Sequence, residues 1–269
     1  MSATIYMHEF RTRLKSVLVW SLSLAAMIFV FYSIFPSFAD QAATINKALS
    51  NFPPALLAAF GMGQVDLSTI LGYYSFIFLF AQVCLAIQAG NYGFGLVSIE
   101  ETELTADFLV SKPVSRAQIL SSKLLAAFTS LTITNLVVWV STFVALAMFK
   151  GSRTYDTHTL FLLLASIVIF QLFFLSVGLV ISLLVRRVRS VTPYSLGLGF
   201  GMYMLSAFSG LEGVSNLELI TAFKHFDPNY IIKHGAYDTP LVLLNAAVTI
   251  ISLAASYWLY TRRDIHAVV

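Results

Sequence analysis

The chain has 269 residues, of which 58% are hydrophobic and only 11% are charged, and its formal net charge is +3. Soluble domains carry about 25% charged residues, so a soluble fold of this length could not cover its surface. With a mean hydropathy of +0.82, the composition predicts an integral membrane protein in a lipid bilayer. The basic residues lie beside apolar stretches and form no long run, which indicates membrane topology and no nucleic-acid partner.

The first predicted element is an amphipathic helix that precedes the first apolar stretch. Met7, Phe10, Leu14 and Val17 recur every three or four residues, and the charged residues fall largely on the other side. This spacing is typical of a helix that lies along the inner membrane interface. The alternative is a solvated cytoplasmic extension of the first span, and the apolar pattern favours the interfacial helix.

Six apolar stretches reach the roughly 20 residues that a helix needs to cross a bilayer. They lack the alternating pattern of a membrane β-barrel, so we predict an all-α membrane protein with six transmembrane helices. The chain is interpreted as a single transmembrane domain, 1–269, with spans at about 16–37, 68–98, 122–149, 158–185, 191–211 and 240–261. Between the last two spans, one short amphipathic helix is expected to pack on the outer ends of the bundle.

Six spans would place both termini on one side of the membrane. That side holds 11 of the 16 basic residues, namely Arg11, Arg13, Lys15, Lys112, Arg116, Lys123, Arg186, Arg187, Arg189, Arg262 and Arg263. Because basic residues accumulate in cytoplasmic loops, both termini are predicted to be cytoplasmic. We expect a multi-pass protein of the cell (plasma) membrane.

A charged segment, "IEETELTADFLVSKPVSRAQILSSKLL", lies between the second and third spans. Pro113 should interrupt any helix, because the residue before a proline is pushed out of helical geometry. Ser115 is then expected to cap a helix that continues into the third span. The predicted arrangement is a short cytoplasmic helix, a break and a re-entry helix. An ordinary loop whose charges only set topology is the alternative, and the residues alone leave both open.

The same segment resembles the second cytoplasmic motif of ABC type-2 permeases, the membrane subunits of ATP-binding-cassette exporters. The matching positions are paired acids, an apolar pair, and a Pro-x-Ser-Arg group with a downstream lysine: Glu100, Glu101, Phe108, Leu109, Pro113, Ser115, Arg116 and Lys123. Leu104 stands where the family usually has glycine, and this departure affects the geometry expected for the turn at that position. The resemblance extends to "MHEFRTRLKSVLVWSL" near the N-terminus, to "NFPPALLAAFGM" and to "YTRRDI".

The resemblance implies that the segment between spans two and three is a coupling helix that docks on a separate ATPase subunit. It also implies a second permease copy, identical or related, and two ATPase chains that bind ATP and Mg. The chain itself lacks the G-x-x-x-x-G-K-[ST] pattern of a phosphate-binding loop. We therefore expect a transport subunit with no catalytic, cofactor or metal site of its own. "GNYGFG" at Gly90–Gly95 lacks the lysine, and its glycines are expected to permit close helix contacts.

Two other classes of protein compete with this interpretation. A six-span membrane enzyme is one, but Thr105 stands where an intramembrane protease would have an arginine after Glu100 and Glu101. His225, Asp227 and His234 would be its candidate zinc ligands, although loop histidines are more often solvated. An ATP-independent transporter or channel is the other, and it would place ionisable groups inside its spans, where the predicted spans hold neutral polar residues.

Those neutral polar residues are the candidate pathway residues: Gln82, Gln88, Asn91, Asn135 and Gln171. In membrane bundles such side chains more often join helices by hydrogen bonds. The alternative is that they line a translocation route. A route without charges would suit a hydrophobic or amphipathic cargo, such as a drug, a peptide antibiotic or a lipid-like molecule.

Overall fold

The computed structural model describes residues 2–53, 56, 57, 60–62, 65–102, 114–185, 188, 190–209 and 215–262, without the side chains of residues 99–102, 215 and 216. Within these ranges all regular secondary structure is helical, in agreement with the predicted all-α class. The long helices are α1 (Ala3–Asp40), α3 (Ile70–Thr102), α4 (Arg116–Phe149), α5 (Thr157–Leu184), α6 (Val191–Phe208) and α9 (Thr239–Arg262). The short ones are α2 (Ala42–Leu49), a 3-10 helix (Ser215–Leu219), α7 (Ala222–His225) and α8 (Pro228–His234).

Five of the long helices in the described part of the chain are long and apolar enough to cross a membrane: α1, α3, α4, α5 and α9. The remaining long helix, α6, has 18 residues and spans about 27 Å at 1.5 Å per residue, close to the roughly 30 Å of a bilayer core. Pro193 and three glycines reduce its apolar content. The six predicted stretches therefore correspond to six long helices, of which five qualify as spans.

The N-terminal segment is not the separate interfacial helix that the sequence predicts. Residues 3–35 contain neither glycine nor proline, so nothing in this range interrupts the helical hydrogen bonds, and α1 continues through Pro36 to a length of 38 residues. Its first turns run along α4, where the Ser2 amide donates to Ser122 Oγ at 2.9 Å and Tyr6 OH donates to Thr129 Oγ1 at 3.3 Å. The predicted N-terminal helix and the first predicted span therefore belong to one continuous helix, and the start of the span near residue 16 stays a prediction.

Helix α3 lies at the centre of the bundle. It packs against α5 and α6, while α1 packs along α4 and α9 along α5. The buried apolar residues form two clusters, and α3 contributes to both. One contains the stacked rings of Tyr32 and Tyr74, whose centroids are 6.0 Å apart. The other contains Phe170 and Phe223, which meet edge to face at 5.1 Å. Residues of α3 thus organise both halves of the core.

Glycines allow α3 to approach its neighbours closely. A Cβ atom at Gly93 would overlap the carbonyl oxygen of Leu175 in α5, and one at Gly178 would lie 3.3 Å from the carbonyl oxygen of Gly90. Helices in lipid associate through such close packing, because burying apolar side chains away from lipid gains little. The Gly90–Gly95 stretch therefore acts as a helix contact surface, as the sequence indicates.

The polar contacts at the two ends of the bundle define its topology. At one end the Ser2 amide bonds to the start of α4, and Arg116 Nη1 donates to the Thr261 carbonyl at the end of α9. At the opposite end Arg153 Nη2 lies 2.8 Å from Asp40 Oδ1. The beginning of α1 and the end of α9 therefore share one end of the bundle.

The segment before α9 differs from the predicted single amphipathic helix. It contains a 3-10 helix and two short α-helices, because Pro228 disfavours helical geometry at Asp227, which instead caps α8 by accepting from the Asn229 amide at 2.9 Å. Phe226 is fully buried, and its carbonyl accepts a hydrogen bond from Gln82 Nε2 of α3 at 3.0 Å. The segment thus enters the bundle rather than resting on its ends.

Replacing Gly93 by alanine should destabilise the bundle by about 1–3 kcal/mol, the usual cost of overpacking a tight contact. The matched control is Gly197→Ala in α6, where a Cβ would meet no atom within 4 Å and alanine favours the helix by about 1 kcal/mol. The apparent melting temperature of the detergent-purified protein checks both. A Gly93→Ala variant as stable as Gly197→Ala would contradict the close contact.

Candidate functional site

The described helix turns on either side of the predicted coupling segment are at the end of the bundle that holds both the start of α1 and the end of α9. Glu100 and Glu101 lie in the last turn of α3, and their side chains are outside the described residues. Phe108, Leu109 and Pro113 are outside them as well. Ser115 and Arg116 stand at the start of α4, so the structure locates both ends of the predicted coupling segment.

Ser115 caps α4, as the sequence predicts. Its hydroxyl accepts from the Gln118 amide at 3.2 Å, and Gln118 Oε1 accepts from the Ser115 amide at 3.2 Å. This reciprocal pair is a capping box, which satisfies two helix-end donors and contributes about 1 kcal/mol. The cap therefore defines where α4 begins after the predicted coupling segment.

Arg116 links the start of α4 to the end of α9. Its Nη1 donates to the Thr261 carbonyl at 3.4 Å, in the last described turn of α9. A cation is favourable there because the helix dipole is negative at its C-terminal end. One turn along, Ser121 Oγ and Tyr257 OH are 2.7 Å apart. These contacts join α4 and α9 beside the predicted coupling segment.

A cluster of buried charges lies at the same end and was not predicted from the sequence. Lys123 is only 2% exposed, and its Nζ donates to the Leu96 carbonyl of α3 at 2.7 Å. Glu9 of α1 contacts Lys123 Nζ through Oε1 at 3.5 Å and Arg13 Nη2 through Oε2 at 2.7 Å. The Arg13 guanidinium lies 5.5 Å from the Tyr92 ring centroid. We call Glu9, Arg13 and Lys123 the charged joint.

The charged joint corrects the expectation that the spans hold no ionisable group. Lys123 lies inside the predicted span 122–149, and the structure buries it between helices. Sequence reasoning assigned Lys123 to topology and to the family motif, and placed Glu9 on a polar face. The four-residue spacing of Glu9 and Arg13 allows an ion pair on one helix face, and it is the feature of the sequence that could have indicated this cluster.

The candidate pathway residues connect helices in the middle of the bundle. Gln88 Nε2 donates to Thr134 Oγ1 of α4 at 2.9 Å, and Gln171 Nε2 of α5 donates to Gln88 Oε1 at 3.5 Å. Ser21 Oγ of α1 donates to Thr134 Oγ1 at 3.4 Å. This chain of polar side chains joins four helices, as interhelical hydrogen bonds in membranes commonly do.

The other candidate pathway residues are distributed around this network. Asn91 Oδ1 accepts from Ser195 Oγ at 2.9 Å, which joins α3 to α6. Asn135 is 5% exposed, and within the described part of the chain its Oδ1 and the Oε1 atoms of Gln82 and Gln171 have no hydrogen-bond partner. The arrangement favours a role in joining helices and leaves spare acceptors in the core.

The three candidate zinc ligands do not converge. His225 contacts the Leu219 carbonyl and Asn245, Asp227 caps α8 and contacts Lys224, and His234 stacks on a tyrosine ring. In the described ranges no group of three or more histidine, cysteine, aspartate or glutamate side chains could hold a metal ion. The zinc alternative is therefore wrong for these three residues, because α7 and α8 direct them to separate partners.

His225 is buried in a site that fits its neutral form. Nε2 lies 3.2 Å from the Leu219 carbonyl, which can only accept, so Nε2 carries the proton and Nδ1 accepts from Asn245 Nδ2 at 3.2 Å. Burial lowers the pKa of His225 from its ordinary value of 6.5, outweighing the opposing effects of the Leu219 and Glu218 carbonyls and the Asp238 carboxylate. The ring is thus held uncharged.

A family model described as ABC-2 family transporter protein matches residues 3–265 of the chain. The match covers the helix bundle and the charged segment from which the resemblance was first inferred. Among curated proteins and solved structures, none matches the chain.

Acidification should destabilise the protein through His225. Below about pH 6.5 the His225 side chain is protonated in the unfolded chain but stays neutral in the folded chain, because folding lowers its pKa. The free energy of unfolding therefore falls as the pH falls. The apparent melting temperature should drop by a few degrees between about pH 7.5 and 5.5, and less in His225→Gln. His234→Gln, at an exposed position, is the control. Equal pH dependence in the wild type and His225→Gln would contradict this assignment.

Proposed function

The chain belongs to the ABC-2 family of transporter proteins, and from that membership we propose that it is the membrane-spanning permease subunit of an ABC exporter. The family match over residues 3–265 carries the proposal. The sequence lacks a phosphate-binding loop of the G-x-x-x-x-G-K-[ST] type, so a separate ATPase subunit would bind ATP and Mg and hydrolyse the nucleotide.

We place six helices across the plasma membrane, with α6 as the sixth span and both termini in the cytoplasm. The shared end of α1 and α9 supports an even number of crossings. The excess of basic residues in the loops on that side supports its cytoplasmic location. Exposed apolar side chains on α1 and α9, such as Leu22 and Ile250, suit contact with lipid.

The segment between α3 and α4 is proposed as the coupling helix that receives force from the ATPase. Its flanking helices have 33 and 34 residues, about 50 Å each at 1.5 Å per residue, so movement at their cytoplasmic ends would be carried through the bundle. The capping box at Ser115 gives the second helix a defined start. The proposed contacts to the ATPase are Glu100, Glu101, Phe108, Leu109, Pro113, Ser115 and Arg116.

A second permease copy, identical or related, and two ATPase chains would complete the transporter. One six-helix bundle offers little room for a pathway, and its described interior is filled by side chains such as Phe170 and Gln88. ATP binding would close the ATPase dimer, move the coupling helices and switch access between the two sides of the membrane. A hydrophobic or amphipathic cargo fits the neutral polar groups at the centre.

The proposal is tested by purifying the tagged chain from its native membrane in mild detergent and identifying the proteins that accompany it. An ATP-binding-cassette subunit should co-purify in stoichiometric amount. A chain that emerges alone, even after crosslinking, would overturn the permease assignment.

Arg116→Glu should weaken this association, because it reverses a charge at the proposed docking surface. The variant is expected to insert normally but to retain less ATPase or to hydrolyse ATP without transport. Arg262→Glu is the matched control, since it makes the same charge change at the same end of the bundle, one residue from the Arg116 contact at Thr261. Unchanged ATPase recovery and transport in Arg116→Glu would remove Arg116 from the coupling surface.

The pathway hypothesis predicts that replacing Gln82, Gln88 and Gln171 together by leucine abolishes stimulation of ATP hydrolysis by a hydrophobic fluorescent dye. The apparent melting temperature is measured in parallel, because the same residues join helices. Stimulation that survives in a destabilised variant would assign the three glutamines to helix packing alone.

A further inference from the structure

We propose that the charged joint, formed by Glu9, Arg13 and Lys123, positions α1 on the two helices that flank the coupling segment and carries the movement of that segment to α1. The inference rests on the proposed function and extends it to the N-terminal turns of α1. The three residues act as positioning residues, since their contacts are to other helices.

Lys123 connects the two helices on either side of residues 103–113. It lies two turns inside α4, and its Nζ donates to the Leu96 carbonyl, about two turns before the end of α3, at 2.7 Å. A displacement of the coupling segment that moved α3 relative to α4 would have to stretch or break this bond. Lys123 is therefore placed where movement of the segment enters the bundle.

Glu9 extends this link to α1. Its carboxylate is shared, with Oε1 at 3.5 Å from Lys123 Nζ and Oε2 at 2.7 Å from Arg13 Nη2. Arg13 in turn covers the Tyr92 ring of α3, and Tyr92 OH donates to Ser16 Oγ of α1 at 3.3 Å. Polar contacts thus hold the first turns of α1 to α3 as well as to α4, along which α1 packs.

Static packing does not require charges at this position. Removing an ion pair from water is costly, and apolar side chains of similar size often hold helices together equally well. Charges specify one register between helices, and hydrogen bonds of this kind can be exchanged between discrete arrangements. In the described residues Arg13 Nε is buried without a hydrogen-bond partner, so the joint has a spare donor for a second arrangement.

The opposite end of the bundle provides a matched comparison. Arg153 and Asp40 also pair at 2.8 Å, but their side chains are 35% and 72% exposed, whereas those of Lys123, Arg13 and Glu9 are 2%, 10% and 16% exposed. Exposed pairs contribute little and are screened by salt. Of these two sites, the buried charged joint is expected to transmit movement and the exposed Arg153–Asp40 pair is not.

The test uses the full chain in complex with its co-purified ATPase. Cys84 is replaced by alanine, and spin labels are placed at the exposed positions 30 in α1 and 250 in α9. The distance between the labels is measured without nucleotide and with ATP and vanadate. The double variant Glu9→Gln with Lys123→Met replaces the ion pair by neutral groups, and Asp40→Asn with Arg153→Met is the control.

The wild type and the control should show a nucleotide-driven change in distance, and the Glu9/Lys123 double variant should lose most of it. Its apparent melting temperature should exceed that of Glu9→Gln alone, because the double variant leaves only one buried cation, Arg13, without the Glu9 carboxylate, whereas the single variant leaves both Arg13 and Lys123 without it. A merely structural joint would lower stability without removing the distance change. If the double variant does not fold, Glu9→Asp is used instead; it keeps the charge but shortens the side chain, which lengthens the contacts to Lys123 and Arg13, and it should reduce the distance change.

Several outcomes would overturn the inference. A full distance change in a stable double variant, or in Glu9→Asp where that variant is the one used, would show that movement bypasses the joint. Loss of the ATPase from the double variant would assign the residues to docking rather than to transmission. Failure of the wild-type chain to co-purify with an ATPase would instead overturn the proposed function, and no variant is needed to see that result.

Discussion

The close approach of α3 to α5 at Gly93 is the contact on which the rest of the bundle depends. In lipid, helices gain little from burying apolar side chains, so close backbone packing has to supply the association. With no Cβ at Gly93, the α3 backbone reaches the Leu175 carbonyl. This brings Gln88 and Gln171 within 3.5 Å of each other and places α3 where both core clusters can form around it.

Polar contacts then distinguish the two ends and the centre of this bundle. At the centre, neutral groups such as Gln88 and Thr134 join helices without the cost of buried charge. At the end that holds the predicted coupling segment, Lys123 and Glu9 introduce charge where three helices meet. At the opposite end the ion pair is exposed. The proposed transport cycle uses this asymmetry, because movement would enter where the helices are joined by specific contacts.

Several elements could be predicted because local residues decide them. Ser115 is predicted to cap α4, and together with Gln118 it forms a capping box within four residues. Other features differ from the sequence predictions, either because polarity does not mark a helix boundary or because distant residues decide the packing. The interfacial helix was separated from the first span by polarity, yet the backbone continues as one helix. The segment before α9 was assigned to the outer ends, yet contacts to Gln82 draw Phe226 into the bundle.

Hydropathy, helix length and a contiguous motif are properties of neighbouring residues. The membrane class, the all-helical architecture, the long helices and the family could therefore be inferred from the amino-acid sequence alone. Which polar residues meet depends instead on how the helices pack. Glu9 and Lys123 are 114 positions apart, and the pairing of α1 with α4 brings them to 3.5 Å. The charges in the sequence do not predict this contact, because a basic residue beside a span is equally well explained by membrane topology.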